Sequence, residues 1–140
     1  MYQSDWFRGN WNLPWVAHRY LRTFQAGISA GKLLNASGAL AEMLLGRPKV
    51  SSLPFVLRLE PTSTCNLSCP RCSTGLGIDP RPRGFISFAD VEYLIDTLRS
   101  HVVFVRLDGA GEPLLHPEII EIISAFKEAS IAVTLSTHLN

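Results

Sequence analysis

The stretch PFVLRLEPTSTCNLSCPRC, residues 54–72, decides how the chain folds. In its first half Phe55, Leu57 and Leu59 alternate with Val56, Arg58 and Glu60. Side chains change face at every residue of a strand, so this spells a short strand over 55–60 with one apolar and one polar face. Directly beyond its carboxyl end lie all three cysteines of the 140-residue chain, spaced C-x3-C-x2-C.

Working outward, strand and helix patterns alternate. FADVEYLIDTLRS (88–100) places Phe88, Val91, Leu94, Ile95 and Leu98 on one helical face, with Ser87 as N-cap and Asp90 at the capping-box position. VVFVRLDG (102–109) reads as a second strand. HPEIIEIISAFKEAS (116–130) reads as a second helix, with Pro117 in its first turn and Ile119, Ile122, Ile123 and Phe126 as its buried stripe. IAVTLSTH (131–138) is a third strand. The order β-α-β-α-β predicts right-handed crossovers and a parallel sheet.

Parallel strands covered on both faces usually read as unbroken apolar runs. Here Val103, Val105 and Leu107 alternate with Phe104, Arg106 and Asp108, and Val133 and Leu135 with Thr134, Ser136 and His138. Helices should cover the apolar faces, leaving the polar ones to line a lumen that holds a polar ligand at the carboxyl ends of the strands. The alternative is that Arg58–Glu60 and Arg106–Asp108 pair as structural ions.

Residues 1–50 read differently. Trp6, Trp11 and Trp15 sit among turn formers, followed by helical spacing through Val16, Tyr20, Leu21, Phe24 and Ile28. A further helix is predicted around 33–45, stopped by Gly46 and Pro48. Two readings stand for this helical extension: packing against the following domain, or weak contact with a membrane surface. Hydrophobic residues make up 46% and charged residues 18%, the balance of a globular chain, and a formal charge of +1 without a basic stripe gives no footprint for nucleic acid. Unpaired thiols and the lack of a secretory pattern point to the cytoplasm.

Three clustered thiols suit neither paired disulfides nor a structural zinc, which wants four ligands; His18, His101, His116 and His138 all lie off finger spacing. Thiolates do suit an iron–sulfur cluster, and three of them on a [4Fe-4S] cube would leave one iron open to another ligand. This arrangement, just after the first strand of a β/α chain, resembles the radical S-adenosylmethionine (radical SAM) superfamily. The resemblance implies Cys65, Cys69 and Cys72 as cluster ligands. It also implies that the open iron chelates the methionine portion of SAM, whose reductive cleavage gives a 5'-deoxyadenosyl radical for hydrogen abstraction.

DGAGEPLLHPE (108–118), after the second strand, is similar to the family's Gly-Gly-Glu-Pro motif. Small Gly109, Ala110 and Gly111 permit close backbone approach to a ligand, and Glu112 can accept from an ammonium group. By resemblance these four grip SAM. STHLN (136–140) is similar to a polar strand edge facing SAM, which makes Ser136 and Thr137 candidate contacts; a plain solvated strand end is the other reading. Two departures stand out: Arg71 where many members carry an aromatic before the third cysteine, and Ala110 in place of glycine.

The implied fold is α/β, the first half of a partial (β/α)6 TIM-like barrel over 51–140, preceded by the helical extension over 1–50. Half a barrel implies a fragment of a longer protein or a truncated gene product, poorly soluble alone. LEPTSTCNLSCPRC also looks like enzymes that carry a C-terminal SPASM domain with auxiliary clusters. The resemblance further implies a flavodoxin- or ferredoxin-type electron donor and a small-molecule or peptide substrate. A non-enzymatic iron–sulfur carrier, and a membrane-associated enzyme acting on lipid, are the competing readings.

Overall fold

A computed structural model of the chain describes residues 28–139. Trp6, Trp11, Trp15 and the helical spacing ahead of Ile28 lie outside the described residues. The described part of the extension is helix α1, Ala30–Leu44. Ser29 caps it, its hydroxyl accepting from Lys32 N–H at 3.3 Å, and Gly46, at φ +61°, turns the chain away after Leu45. A left-handed residue just past a helix end is where glycine avoids a Cβ clash.

Three strands follow: β1 (Val56–Leu59), β2 (Phe104–Leu107) and β3 (Ala132–Leu135), in the order β1-β2-β3 and all parallel. Helices α2 (Phe88–Leu98) and α3 (Ile119–Glu128) connect them, so the α/β parallel architecture is as predicted. Register places Leu57, Val105 and Val133 in one row and Leu59, Leu107 and Leu135 in another. These rows meet Val91 and Ile95 of α2 and Ile119, Ile122 and Phe126 of α3 in a single core. Burying a side chain such as fully enclosed Ile122 or Phe126 contributes about 1.5–3 kcal/mol, which makes this cluster the main source of cohesion.

The predicted N-cap of α2 is present: Ser87 Oγ accepts from Asp90 N–H at 3.1 Å and donates to Asp90 Oδ2 at 2.6 Å. At α3 the boundary differs. Pro117 precedes the helix, because Glu118 takes a non-helical conformation, φ −106° and ψ 27°, and stands as the N-cap; its N–H donates to His116 Nδ1 at 3.1 Å. A short 3-10 turn, Pro113–Leu115, unforeseen in the sequence, fills the space before it.

The uncovered face of the sheet carries the alternate residues. Arg58 and Arg106 are register neighbours, and like charges side by side are tolerable only with an anion between them. Asp108 provides it, accepting from Arg58 Nε at 2.5 Å and Arg106 Nη2 at 2.6 Å. Burial pushes the Asp108 carboxyl up, but the two arginines outweigh it and hold it below its ordinary value. The expected Arg106–Asp108 pair therefore exists, whereas Arg58 pairs across strands rather than with Glu60. Beside this pair, Phe104, Arg106, Asp108, Thr134, Leu135 and Ser136 line an open groove of ≈ 400 Å³.

Candidate functional site

The cysteine loop leaves β1 and returns at α2, and its neck is pinned. Thr62 and Phe85 form an antiparallel bridge, Ile86 N–H donates to Pro61 O at 2.9 Å, and Ser63 N–H to Gly84 O at 3.1 Å. Thr62, buried, adds its hydroxyl to Gly84 O at 2.7 Å. Inside the loop the chain coils tightly: Cys72 N–H donates to Cys69 O at 3.1 Å and Leu76 N–H to Cys72 O at 2.9 Å. Gly75 crosses behind Cys69, where a Cβ would come within 2.7 Å of the Cys69 nitrogen. Arg81 braces the far side, bonding Asp79 at 2.8 Å and Glu60 at 3.0 Å. Those contacts, chiefly the Arg81 guanidinium, hold the Asp79 carboxyl well below its usual range.

Cys69 is exposed, Cys65 and Cys72 half-buried, and all three are free thiols. Leu67 N–H points at Cys65 Sγ, 3.5 Å away. Among the described residues no three His, Cys, Asp or Glu side chains converge on a point that one metal ion would fill. Three soft sulfur donors in one reachable loop, with an amide N–H directed at one of them, fit a polynuclear iron–sulfur group better than a hard cation.

The loop after β2 packs backbone to backbone against the start of this one. Ala110 N–H donates to Glu60 Oε2 at 2.8 Å and Glu112 N–H to Thr64 O at 2.8 Å. A Cβ on Gly109 would run into the Glu60 side chain, and one on Gly111 into the Thr62 carbonyl oxygen. Glycine at 111 is therefore a packing requirement.

Glu112 is buried at 3% exposure. Its Oε1 accepts from Thr137 Oγ1 at 2.5 Å and Leu114 N–H at 3.1 Å, and its Oε2 accepts from His138 N–H at 3.1 Å, with His138 Nε2 also at 3.1 Å. Burial raises its pKa, but the Thr137, His138 and Leu114 donors prevail and hold it below the ordinary carboxylate value. The structure thus joins two of the predicted contacts, Glu112 and Thr137, and seats Gly109–Gly111 beside the cysteine loop. Ser136 stands apart from them, lining the groove and donating its N–H to Leu107 O at 3.3 Å. An ammonium group at Glu112 would share a carboxylate already engaged by the chain itself.

Three positioning residues escaped the sequence reading. Glu60 and Thr62 organise both loops from the Glu-Pro-Thr that follows β1. Buried His116 accepts from Glu118 N–H at Nδ1, which makes Nε2 the donor to Ile86 O at 2.9 Å. It ties the second loop to the neck of the first and meets the Phe85 ring edge-on, centroids 5.4 Å apart.

No family model matches the chain. The AdoMet-dependent heme synthase of Methanosarcina barkeri is 28% identical over 89 residues, 64% of this chain and 25% of that protein. The PqqA peptide cyclase of Methylorubrum populi is 34% identical over 84 residues, 60% of this chain and 22% of that protein. Among solved structures, Streptococcus suis SuiB bound to S-adenosylmethionine superposes with a TM-score of 0.55 at 25% identity, over 77% of this chain and 24% of SuiB. Over its described strands and loops the chain is similar to radical SAM enzymes. It spans about a quarter of the length of the curated radical SAM relatives it matches. No helix among the described residues is long and apolar enough to cross a membrane.

Proposed function

We propose that this chain is the cofactor-binding part of a radical SAM enzyme, within a partial (β/α)6 barrel, with Cys65, Cys69 and Cys72 holding a [4Fe-4S] cluster. When bound, the cluster supplies the single electron that breaks a carbon–sulfur bond of SAM and so starts hydrogen abstraction from substrate. The protein's own work is positional. The pinned neck fixes where the thiols emerge, Gly109 and Gly111 let the second loop pack directly on Glu60 and Thr62, and Glu112 keeps an anionic acceptor facing the end of β3. Ser136, Arg106 and Asp108 offer a polar wall on the groove side.

One observation carries this reading: the Cys loop and the Gly-Ala-Gly-Glu loop, leaving adjacent parallel strands at their carboxyl ends, are locked together by the 2.8 Å Glu112 N–H to Thr64 O bond. A solitary cluster carrier has no use for the second loop. The match to a peptide cyclase favours a peptide substrate; a SPASM-type architecture and an electron donor of the flavodoxin or ferredoxin type rest on the sequence resemblance.

The test is anaerobic reconstitution of the full-length protein with iron and sulfide, then dithionite and SAM. Visible iron–sulfur absorbance and formation of 5'-deoxyadenosine are expected. Retention of both by Cys69→Ala would overturn the assignment.

A further inference from the structure

Helix α1 sits on the domain with its polar side inward. Lys32 and Glu42 are 3% and 8% exposed, whereas Leu33, Leu40 and Leu44 are 54%, 52% and 76% exposed. The inward residues are held by specific bonds. Lys32 Nζ donates to Ser130 O at 2.7 Å, just past the C-terminal end of α3, where a cation is favoured. Asn35 bonds both N–H and O of Leu53 at 2.8 Å, and Glu42 accepts from the backbone and hydroxyl groups of Ser51 and Ser52. An amphipathic helix buries its apolar stripe unless that stripe is wanted elsewhere. Here positions 33, 40 and 44, spaced i, i+7, i+11, form one outward line, with Met43 alongside at 69% exposure.

Charge is uneven along the sequence. Residues 1–50 carry six Lys or Arg against two Asp or Glu, a surplus of four; residues 51–140 carry seven against ten, a deficit of three. Glu42 and Lys32 are both engaged inward, which leaves five basic residues against one acid in this segment. Exposed Arg47 and Lys49 stand just past the end of the stripe. The preceding sequence holds Trp6, Trp11 and Trp15, the residue type favoured at a membrane–water interface.

We propose that the outward stripe of α1 docks the protein on an anionic lipid surface. The helix lies in the interface plane, with Leu33, Leu40 and Leu44 inserted and Arg47 and Lys49 against the headgroups. At 15 residues it lies on a bilayer and does not cross it. A second copy is a poorer occupant, since its own α1 offers Arg47 and Lys49 no outward acid to pair with.

The experiment is flotation of the whole chain with vesicles of phosphatidylcholine plus phosphatidylglycerol, and of phosphatidylcholine alone. The wild type should float with the anionic vesicles, less so in high salt. The double variant Leu40→Glu/Leu44→Glu should partition about a hundredfold more weakly, as loss of two inserted leucines implies, with an unchanged melting midpoint. Three outcomes overturn the proposal: equal flotation of the variant; a lowered midpoint without flotation of the wild type, which means residues 1–27 cover the stripe; or a wild-type dimer that the variant splits. Cys69→Ser should float as the wild type does, so failure of the cluster assignment and failure of docking are read separately.

Discussion

Thr137 Oγ1 lies 2.5 Å from Glu112 Oε1, so the end of β3 and the loop after β2 share one buried carboxylate. Residues 25 apart in sequence are thereby fixed at neighbouring strand ends. That bond fixes which way the carboxylate faces.

Its energetic weight is testable through pH. Hydrogen bonds hold the folded Glu112 carboxyl below the value it takes in the unfolded chain. Its contribution is therefore complete above the unfolded carboxyl range, about 4.3, and is lost as pH falls through the depressed folded value. Urea midpoints measured from neutral pH downward should decline for the wild type and stay flatter for Glu112→Gln. Thr137→Val should cost about 1.5–3 kcal/mol at neutral pH, as expected for a bond to a charged group. Identical pH profiles for wild type and Glu112→Gln would show that the carboxylate has no such linkage.

Two glycines should respond in opposite directions to alanine. At Gly111 the new Cβ meets the Thr62 carbonyl oxygen and lies 2.9 Å from Thr64 O, both rigid backbone, so Gly111→Ala should cost about 3 kcal/mol or more or prevent folding. At Gly38, inside α1, nothing lies within 4 Å, and Gly38→Ala should stabilise by about 0.5–1 kcal/mol. Thermal melts of the two variants should bracket the wild type. The same sign for both would contradict the described packing.

Much of this fold was legible because its signals are local. Period-two alternation in 55–60 and 103–108 reads directly as half-polar strands, and the spacing of Val91 and Ile95 or Ile122 and Phe126 as helix faces. The cysteine loop announces itself by composition. What stayed hidden depends on residues that meet only after folding. Glu60 bonds Ala110 fifty positions away, and Arg58 takes Asp108 because parallel register brings β1 and β2 side by side. The inverted seating of α1 is equally non-local: its leucines resemble a core stripe until Lys32 finds a helix end and Glu42 two serines. The α3 boundary lies past Pro117 because Glu118 takes a non-helical conformation between the His116 turn and the helix, which no local propensity encodes.

Thiol chemistry offers a check independent of turnover. In metal-free protein all three cysteines should alkylate, Cys69 first, since it is the exposed one. After reconstitution all three should be protected together, and a serine at any one position should unprotect the other two. Peptide mass mapping after brief iodoacetamide treatment distinguishes this from unrelated thiols, which would react one by one regardless of iron.

The N-cap of α2 predicts a smaller effect. Ser87→Ala removes the acceptor for Asp90 N–H and should cost about 1 kcal/mol. Ser87→Asp should recover most of it. If the alanine variant melts with the wild type, the cap is ornamental to stability.

The bridge between Thr62 and Phe85 has a broader consequence. A segment cinched at its base behaves like a cartridge clipped to a frame: its interior can be refilled, emptied or lengthened while the clip holds the surrounding strands in alignment. Extra residues at the Gly77 bend, where φ is already +70°, should leave the β1–β2 alignment unaltered. Cutting the clip should loosen the two together.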